Sequence, residues 1–329
     1  MDVNIFQNIW FIIIGFLLMV YSILDGFDLG IASLMPVLAK DENEQKKVMD
    51  SIWPVWDGNE VWLITAGASL FAAFPFAYAT VFSGFYLALM LVLFALIFRA
   101  VSMEFWYYDE KRRKIWATAF TAGSLLPALL FGVALGNVIC GIPIDINMNF
   151  TGNFFTLLRP FPLVIGLLGL SAILLQGCTW AIHKIEGEVA KRAHSILNKL
   201  LIANAVFFIL AIVLTIIFLP DILSSSIGWI GAIVYAVALS YVYLSNKHKR
   251  AVNALRGSSF AFIALWIMAG AALYPNLVRA TIGAYNITIV NASSTVYTLK
   301  IMSIIALIGM PIVIAYTFYV YKVFKGKVS

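Results

Sequence analysis

The chain has 329 residues, 62% of them hydrophobic and 12% charged, with a mean hydropathy of +0.95 and a formal net charge of +6. Soluble domains carry about 25% charged residues, so this composition excludes an ordinary soluble fold. The positive balance does not indicate a nucleic-acid partner either, because the basic residues lie between apolar runs, where membrane topology explains them.

Apolar stretches long enough to cross a bilayer recur along the whole chain. They predict an all-α integral membrane protein with about nine transmembrane helices in a single polytopic domain over 1–329. The spans are predicted at 8–34, 55–79, 80–103, 115–138, 161–183, 199–219, 226–245, 257–275 and 298–323, with loops at 139–160 and 276–297. Met1-Asp2-Val3-Asn4 offers no basic segment and no small-residue cleavage site follows the first run, so that run reads as a retained span. Gly26/Gly30 and Gly132/Gly136 have the four-residue spacing that lets helix backbones approach closely. Cys140 and Cys178 have no metal-ligand spacing and read as isolated small apolar residues.

The basic residues set the orientation. Those after spans one, three, five, seven and nine number 19, against 3 (Arg159, Arg279 and Lys300) on the other side. The N-terminus is therefore predicted outside and the C-terminus in the cytoplasm.

With that orientation, the carboxylates of three spans reach one depth. Span one runs inward and carries Asp25 and Asp28 near its inner end. Span two begins inside with Trp56-Asp57-Gly58-Asn59-Glu60, where Asp57 and Glu60, three apart, share a face. Trp56 suits the headgroup level and Asn59 adds an amide to the same turns. Span three ends inside with Arg99 and Glu104. Carboxylates in a membrane segment cost several kcal/mol, roughly 2.5–3.5 even on a lenient scale, and mark ion or proton pathways. Asp25, Asp28, Asp57, Glu60 and Glu104 are thus expected to form a shared site that takes up and releases protons. Arg99 is expected to keep a partner ionised, with Glu104 or Asp57 as the favoured one. The competing expectation for Asp57 is a helix cap, and for Arg99–Glu104 a structural ion pair. His183, His194 and His248 fall in or beside inner loops, and none lies in the middle of a span. A haem-carrying subunit would offer an axial histidine within the membrane, so this chain alone is expected to ligate no haem.

The motifs Asp25-Gly-Phe-Asp-Leu-Gly30 and Trp56-Asp-Gly-Asn-Glu-Val-Trp-Leu-Ile-Thr-Ala-Gly67 resemble those of subunit II of the cytochrome bd-type quinol oxidases. Phe82-Ser-Gly-Phe-Tyr86, Phe98-Arg99, Gly136-Asn137, Thr151-Gly-Asn-Phe-Phe155, Gln176-Gly177, Asn291-Ala-Ser293 and Met310-Pro311 extend the likeness to the last span. The resemblance implies a nine-helix subunit that binds no haem itself. It would pair with a haem-bearing subunit I holding b-type and d-type haems, which oxidises quinol and reduces dioxygen to water. Small single-span accessory subunits, quinol and lipid are the other partners it implies, and the bacterial or archaeal cell membrane the location. It also implies that protons come from the cytoplasm along carboxylates matching Asp25, Asp28, Asp57 and Glu104, with Glu60 less constant. Two other readings of the same residues are an ion-coupled secondary transporter and a purely structural subunit whose polar cluster only fixes helix packing.

Overall fold

Helix α1 (Ile5–Leu38) is the one around which the others pack. Its start is fixed by Asn4, whose side chain accepts from the Phe6 amide while the Gln7 side chain accepts from the Asn4 amide. Every residue from Asp25 to Ala32 is buried, an unbroken run that needs neighbours on all sides of the helix. The computed structural model describes residues 4–328.

A short α2 (Glu42–Ile52) follows, then α3 (Trp56–Ala73), α4 (Pro75–Gly84), α5 (Tyr86–Tyr108) and α6 (Arg113–Cys140). Next come α7 (Pro160–Lys184), α8 (Glu188–Phe218), α9 (Ser226–Lys247), α10 (Ala251–Leu273) and α11 (Val296–Val323). A two-stranded antiparallel ribbon, β1 (Asn276–Val278) and β2 (Ile287–Thr288), lies in the last outer loop. Eight helices among the described residues are long and apolar enough to cross a membrane. Helix α3 matches the second expected span: its 18 residues reach about 27 Å at 1.5 Å per residue, and Asp57, Asn59 and Glu60 lower its hydropathy.

Contacts gather at two ends. At one, Arg113 pairs with Glu42 at 2.7 Å, Arg192 with Glu44, and Lys327 with Glu186 at 3.3 Å. At the other, Gln7 donates to Ser293 at 3.0 Å, the Ser294 amide to the Ala73 carbonyl at 2.8 Å, and the Ile142 amide to the Arg279 carbonyl at 2.9 Å. The first end carries the basic loops and is the predicted inner side.

Several boundaries differ from the expectation. The second span ends at Ala73 instead of 79, and α5 starts at Tyr86 and runs to Tyr108, about five residues beyond the expected 80–103. The cause is Pro75, which cannot donate to the preceding turn and pushes Phe74 out of the helical region, to φ −135° and ψ 66°. Residues 75–84 form their own short helix at the outer end, where Thr80 donates to the Met148 carbonyl at 2.5 Å. On the inner side α8 begins at Glu188, not 199, so His194 sits on a helix and faces Asn246 at 2.7 Å instead of lying in a loop. Helix α2 was not foreseen, since its Lys and Glu residues hide a short apolar face made of Val48, Met49 and Ile52.

Of the glycine pairs, Gly30 makes the tightest contact, where α1 crosses α7. A Cβ at Gly30 would lie 2.1 Å from the Ile173 carbonyl oxygen, and one at Gly177 would lie 2.2 Å from the Gly30 carbonyl carbon. Both obstacles are backbone and cannot yield. Gly30→Ala and Gly177→Ala are therefore each expected to cost at least about 3 kcal/mol and most of the assembled protein. Gly26→Ala, whose Cβ would meet the Phe262 ring at 3.8 Å and Ile173 Cγ1 at 4.0 Å, ordinary van der Waals contacts, should be tolerated. Membrane yield in detergent-stable form separates the two outcomes.

At the inner end, Arg192 draws the Glu44 carboxyl below its ordinary value through a hydrogen bond, helped by the Lys40 amide. A depressed carboxylate stabilises the fold above its unfolded pKa, and that contribution is lost as the pH falls through the folded value. The inner cap is thus expected to loosen on acidification, and Glu44→Gln should remove that part of the acid dependence in a thermal-melting series.

Candidate functional site

The polar site lies where α1, α3, α5 and α11 meet near the inner end. Asp25 opens the buried run of α1 and Asp28 follows one turn on, both with 0% exposure. Arg99, 1% exposed, enters from α5. Its Nη1 donates to Asp25 Oδ1 at 2.8 Å and its Nη2 to Glu60 Oε1, so one guanidinium ties α5 to both α1 and α3. Gly123 of α6 makes room for this: its Cα hydrogens face the Ala95 carbonyl and the Arg99 backbone, where a Cβ would stand 2.6 Å from the carbonyl oxygen.

Asn59, buried to 1%, bridges the rest. Its Nδ2 donates to Asp28 Oδ2 at 2.7 Å and lies 3.4 Å from the Leu24 carbonyl, and its Oδ1 accepts from the Tyr321 hydroxyl at 2.8 Å. Asp25 Oδ2, Asp28 Oδ1, Arg99 Nε, the Tyr21 hydroxyl and Trp62 Nε1 are buried without a protein partner. Buried polar atoms normally find partners, so this concentration marks a site with hydrogen-bonding capacity to spare. Beside it, an apolar cavity of about 500 Å³ extends between α1, α6, α8 and α10, lined by Tyr21, Phe131, Phe208 and Trp266 among others.

The site thus gathers Asp25, Asp28, Asn59, Glu60 and Arg99, but not every residue expected there. Asp57 and Glu104 are exposed on the chain's own surface. Arg99 pairs with Asp25 and Glu60 instead of Glu104 or Asp57. The reason is helical geometry. Five residues turn an α-helix by about 140° from the starting face, so Glu104 points away when Arg99 points in. Nor does Asp57 cap α3; Val55 occupies the N-cap and no side chain bonds there. Trp56 is half-buried and packs against the inner apolar core instead of the acids. Tyr321 was missed. It is an aromatic residue near the end of an apolar span, with nothing in its neighbours to mark which face meets the site.

Asp57 continues a stripe with Val61 and Ile64, and Glu104 one with Ile97 and Val101; all four of these apolar residues are exposed. Helix α11 exposes nearly all its length, with Leu299 its one fully covered residue among those described. Among the described residues no group of three or more His, Cys, Asp or Glu side chains is arranged to hold a metal ion.

Fold and site together define a polytopic helical membrane protein built on a buried arginine–carboxylate cluster. The family model described as cytochrome bd terminal oxidase subunit II matches residues 6–324. Cytochrome bd-I ubiquinol oxidase subunit 2 of Escherichia coli is 31% identical over 365 residues, covering 100% of this chain and 96% of that one. Cytochrome bd ubiquinol oxidase subunit 2 of Bacillus subtilis is 30% identical over 331 residues, covering 98% and 97%. The fold matches a chain of the bd oxidase structure from Geobacillus thermodenitrificans with a TM-score of 0.83 at 15% identity, over 98% of this chain and 99% of that one. The chain belongs to the cytochrome bd terminal oxidase subunit II family, and it is a multi-pass membrane subunit of an oxidoreductase complex.

Proposed function

We propose that this chain is the haem-free partner of a haem-bearing subunit I in a bd-type quinol oxidase, and that its acidic cluster carries protons from the cytoplasm toward the site of oxygen reduction. The b-type and d-type haems belong to subunit I in this reading. Quinol supplies the electrons and water is the product. The observation that carries the proton role is the buried cluster itself. Two carboxyls, Asp25 and Glu60, share the one guanidinium of Arg99, and a third, Asp28, is held beside them by Asn59. One cation balances one carboxylate, so three carboxyls around a single guanidinium give the cluster the capacity to take up and release a proton.

The exposed residues support the partner role. A carboxylate facing lipid is costly, and Asp57 and Glu104 each end an apolar stripe. Subunit I seated on α3, α5 and α11 would cover those stripes and turn the two carboxylates into the mouth of a path between subunits, with Asp57 next to Glu60 and the buried cluster.

The test uses a tagged chain purified from its native membrane. A second membrane chain and the far-red absorbance of haem d should co-purify, while the chain expressed alone should carry no stoichiometric haem. Haem bound by the isolated chain, and lost on mutating one of its own residues, would overturn the assignment. In the intact complex Asp57→Asn keeps the shape of the side chain and removes its proton, so turnover should fall with haem content unchanged. Unchanged turnover would take Asp57 out of the path.

A further inference from the structure

Tyr321 lies at the inner end of α11, a helix that otherwise shows most of its surface to its surroundings. Its register is fixed from two sides. The ring sits edge-on to Phe27 and to Trp180, which stack on each other at 3.9 Å. Just beyond it, the Lys184 ammonium donates to the Phe324 carbonyl, and the Val328 amide donates to the Lys184 carbonyl at 2.8 Å. The end of α11 is thereby fastened to the end of α7, and the Tyr321 hydroxyl is delivered to Asn59 Oδ1 at 2.8 Å.

That contact decides what Asn59 offers to Asp28. With Oδ1 occupied by the tyrosine proton, the amide can present only N–H groups to α1, one to Asp28 Oδ2 and one toward the Leu24 carbonyl. An N–H donor favours an ionised carboxyl. Without the hydroxyl, Oδ1 would be left unpaired in a residue only 1% exposed, at a cost comparable to a lost hydrogen bond. Rotating the amide to bring Oδ1 against Asp28 gives that oxygen a partner again, provided that Asp28 holds a proton to donate. We propose that Tyr321 is a positioning residue of the acidic site, locking the Asn59 amide so that Asp28 meets an N–H donor. The functional consequence rests on the proton path proposed above; the amide lock itself does not.

The other groups that face Asp28 are Asp25 on its own helix, Glu60 on α3 and Arg99 on α5. Helix α7 meets α1 with the backbone of Gly177, and Gln176 donates to the Ile23 carbonyl. Helix α6 contributes the neutral Thr121, which bonds the Ala32 carbonyl. None of these depends on the Tyr321 hydroxyl.

The test is Tyr321→Phe in the assembled complex, a change that keeps the ring packing on Phe27 and Trp180. Infrared difference spectra should assign the protonated-carboxyl stretch of Asp28 by its loss in Asp28→Asn. In Tyr321→Phe the ratio of protonated to ionised Asp28 at a fixed pH should rise about tenfold, and the pH profile of turnover should move by about one unit. In an Asn59→Ala background the same substitution should change neither quantity, because the amide it acts through is gone. An Asp28 band that titrates identically with and without the hydroxyl would overturn the proposal, as would an equal effect in the Asn59→Ala background. Failure of the proton path has a different signature, normal turnover in Asp28→Asn, and leaves the infrared arm free to decide the amide lock.

Discussion

Arg99→Leu is expected to leave little assembled complex in the membrane. The guanidinium is 1% exposed and bonds both Asp25 and Glu60, so removing it strands the Asp25 carboxylate where water cannot reach and leaves Glu60 unpartnered. Breaking one side of a buried ion pair costs about 3–5 kcal/mol. Whole-protein stability is only about 5–15 kcal/mol, so the loss is a large share of it. Arg99→Lys should fall between, since an ammonium cannot reach two carboxylates with the planar fork that the site uses. Pairing Arg99→Leu with Asp25→Leu and Glu60→Gln should recover much of the yield, because apolar side chains commonly replace a buried ion pair without loss of stability. Turnover should not return with it. The yield of haem-containing complex per unit membrane, across these variants, checks the prediction, and a normal yield for Arg99→Leu alone would show that the cluster is not held by charge.

The second large effect is expected at Asp28. Asp28→Asn keeps the volume, and its amide oxygen can still accept from Asn59 Nδ2, the bond now made at 2.7 Å. The change removes the proposed proton carrier and little else, so haem content should stay normal. Turnover should fall at least about tenfold, in line with the loss of a positioned proton donor or acceptor. Asp28→Ala would be a poorer test, because it also leaves the Asn59 amide without a partner.

Much of this was readable in the residues. Hydropathy gave the spans, and the positive loops gave their direction, which together put Asp25, Asp28, Asp57, Glu60, Arg99 and Glu104 at one depth. Depth, however, is a coordinate along the helix axis, and a site also needs rotation about that axis. Asp57 and Glu60 are three residues apart, yet Glu60 turns toward Arg99 while Asp57 stays exposed. The rotation of α3 is set by its packing on α1 and by Asn59 meeting Asp28, contacts more than thirty residues apart in sequence. Glu104 could have been set aside from its five-residue offset to Arg99 alone. The break at Phe74 was legible in Pro75, but the long apolar run around it suggested continuity. Tyr321 was not legible, because its role depends on which face of α11 meets α3 and on the tail contact with Lys184.

The buried cluster of this subunit is proposed to carry the protons consumed by oxygen reduction. The most direct measurement is the reaction of the fully reduced Asp28→Asn complex with oxygen, followed at the haems and, in parallel, with a pH indicator in the medium. Oxygen binding and the first electron transfers should keep their rates, while proton uptake and the oxidation steps that wait for it should slow together by at least about tenfold. Proton uptake at the unmodified rate, in a complex with its full haem complement, would contradict that proposal.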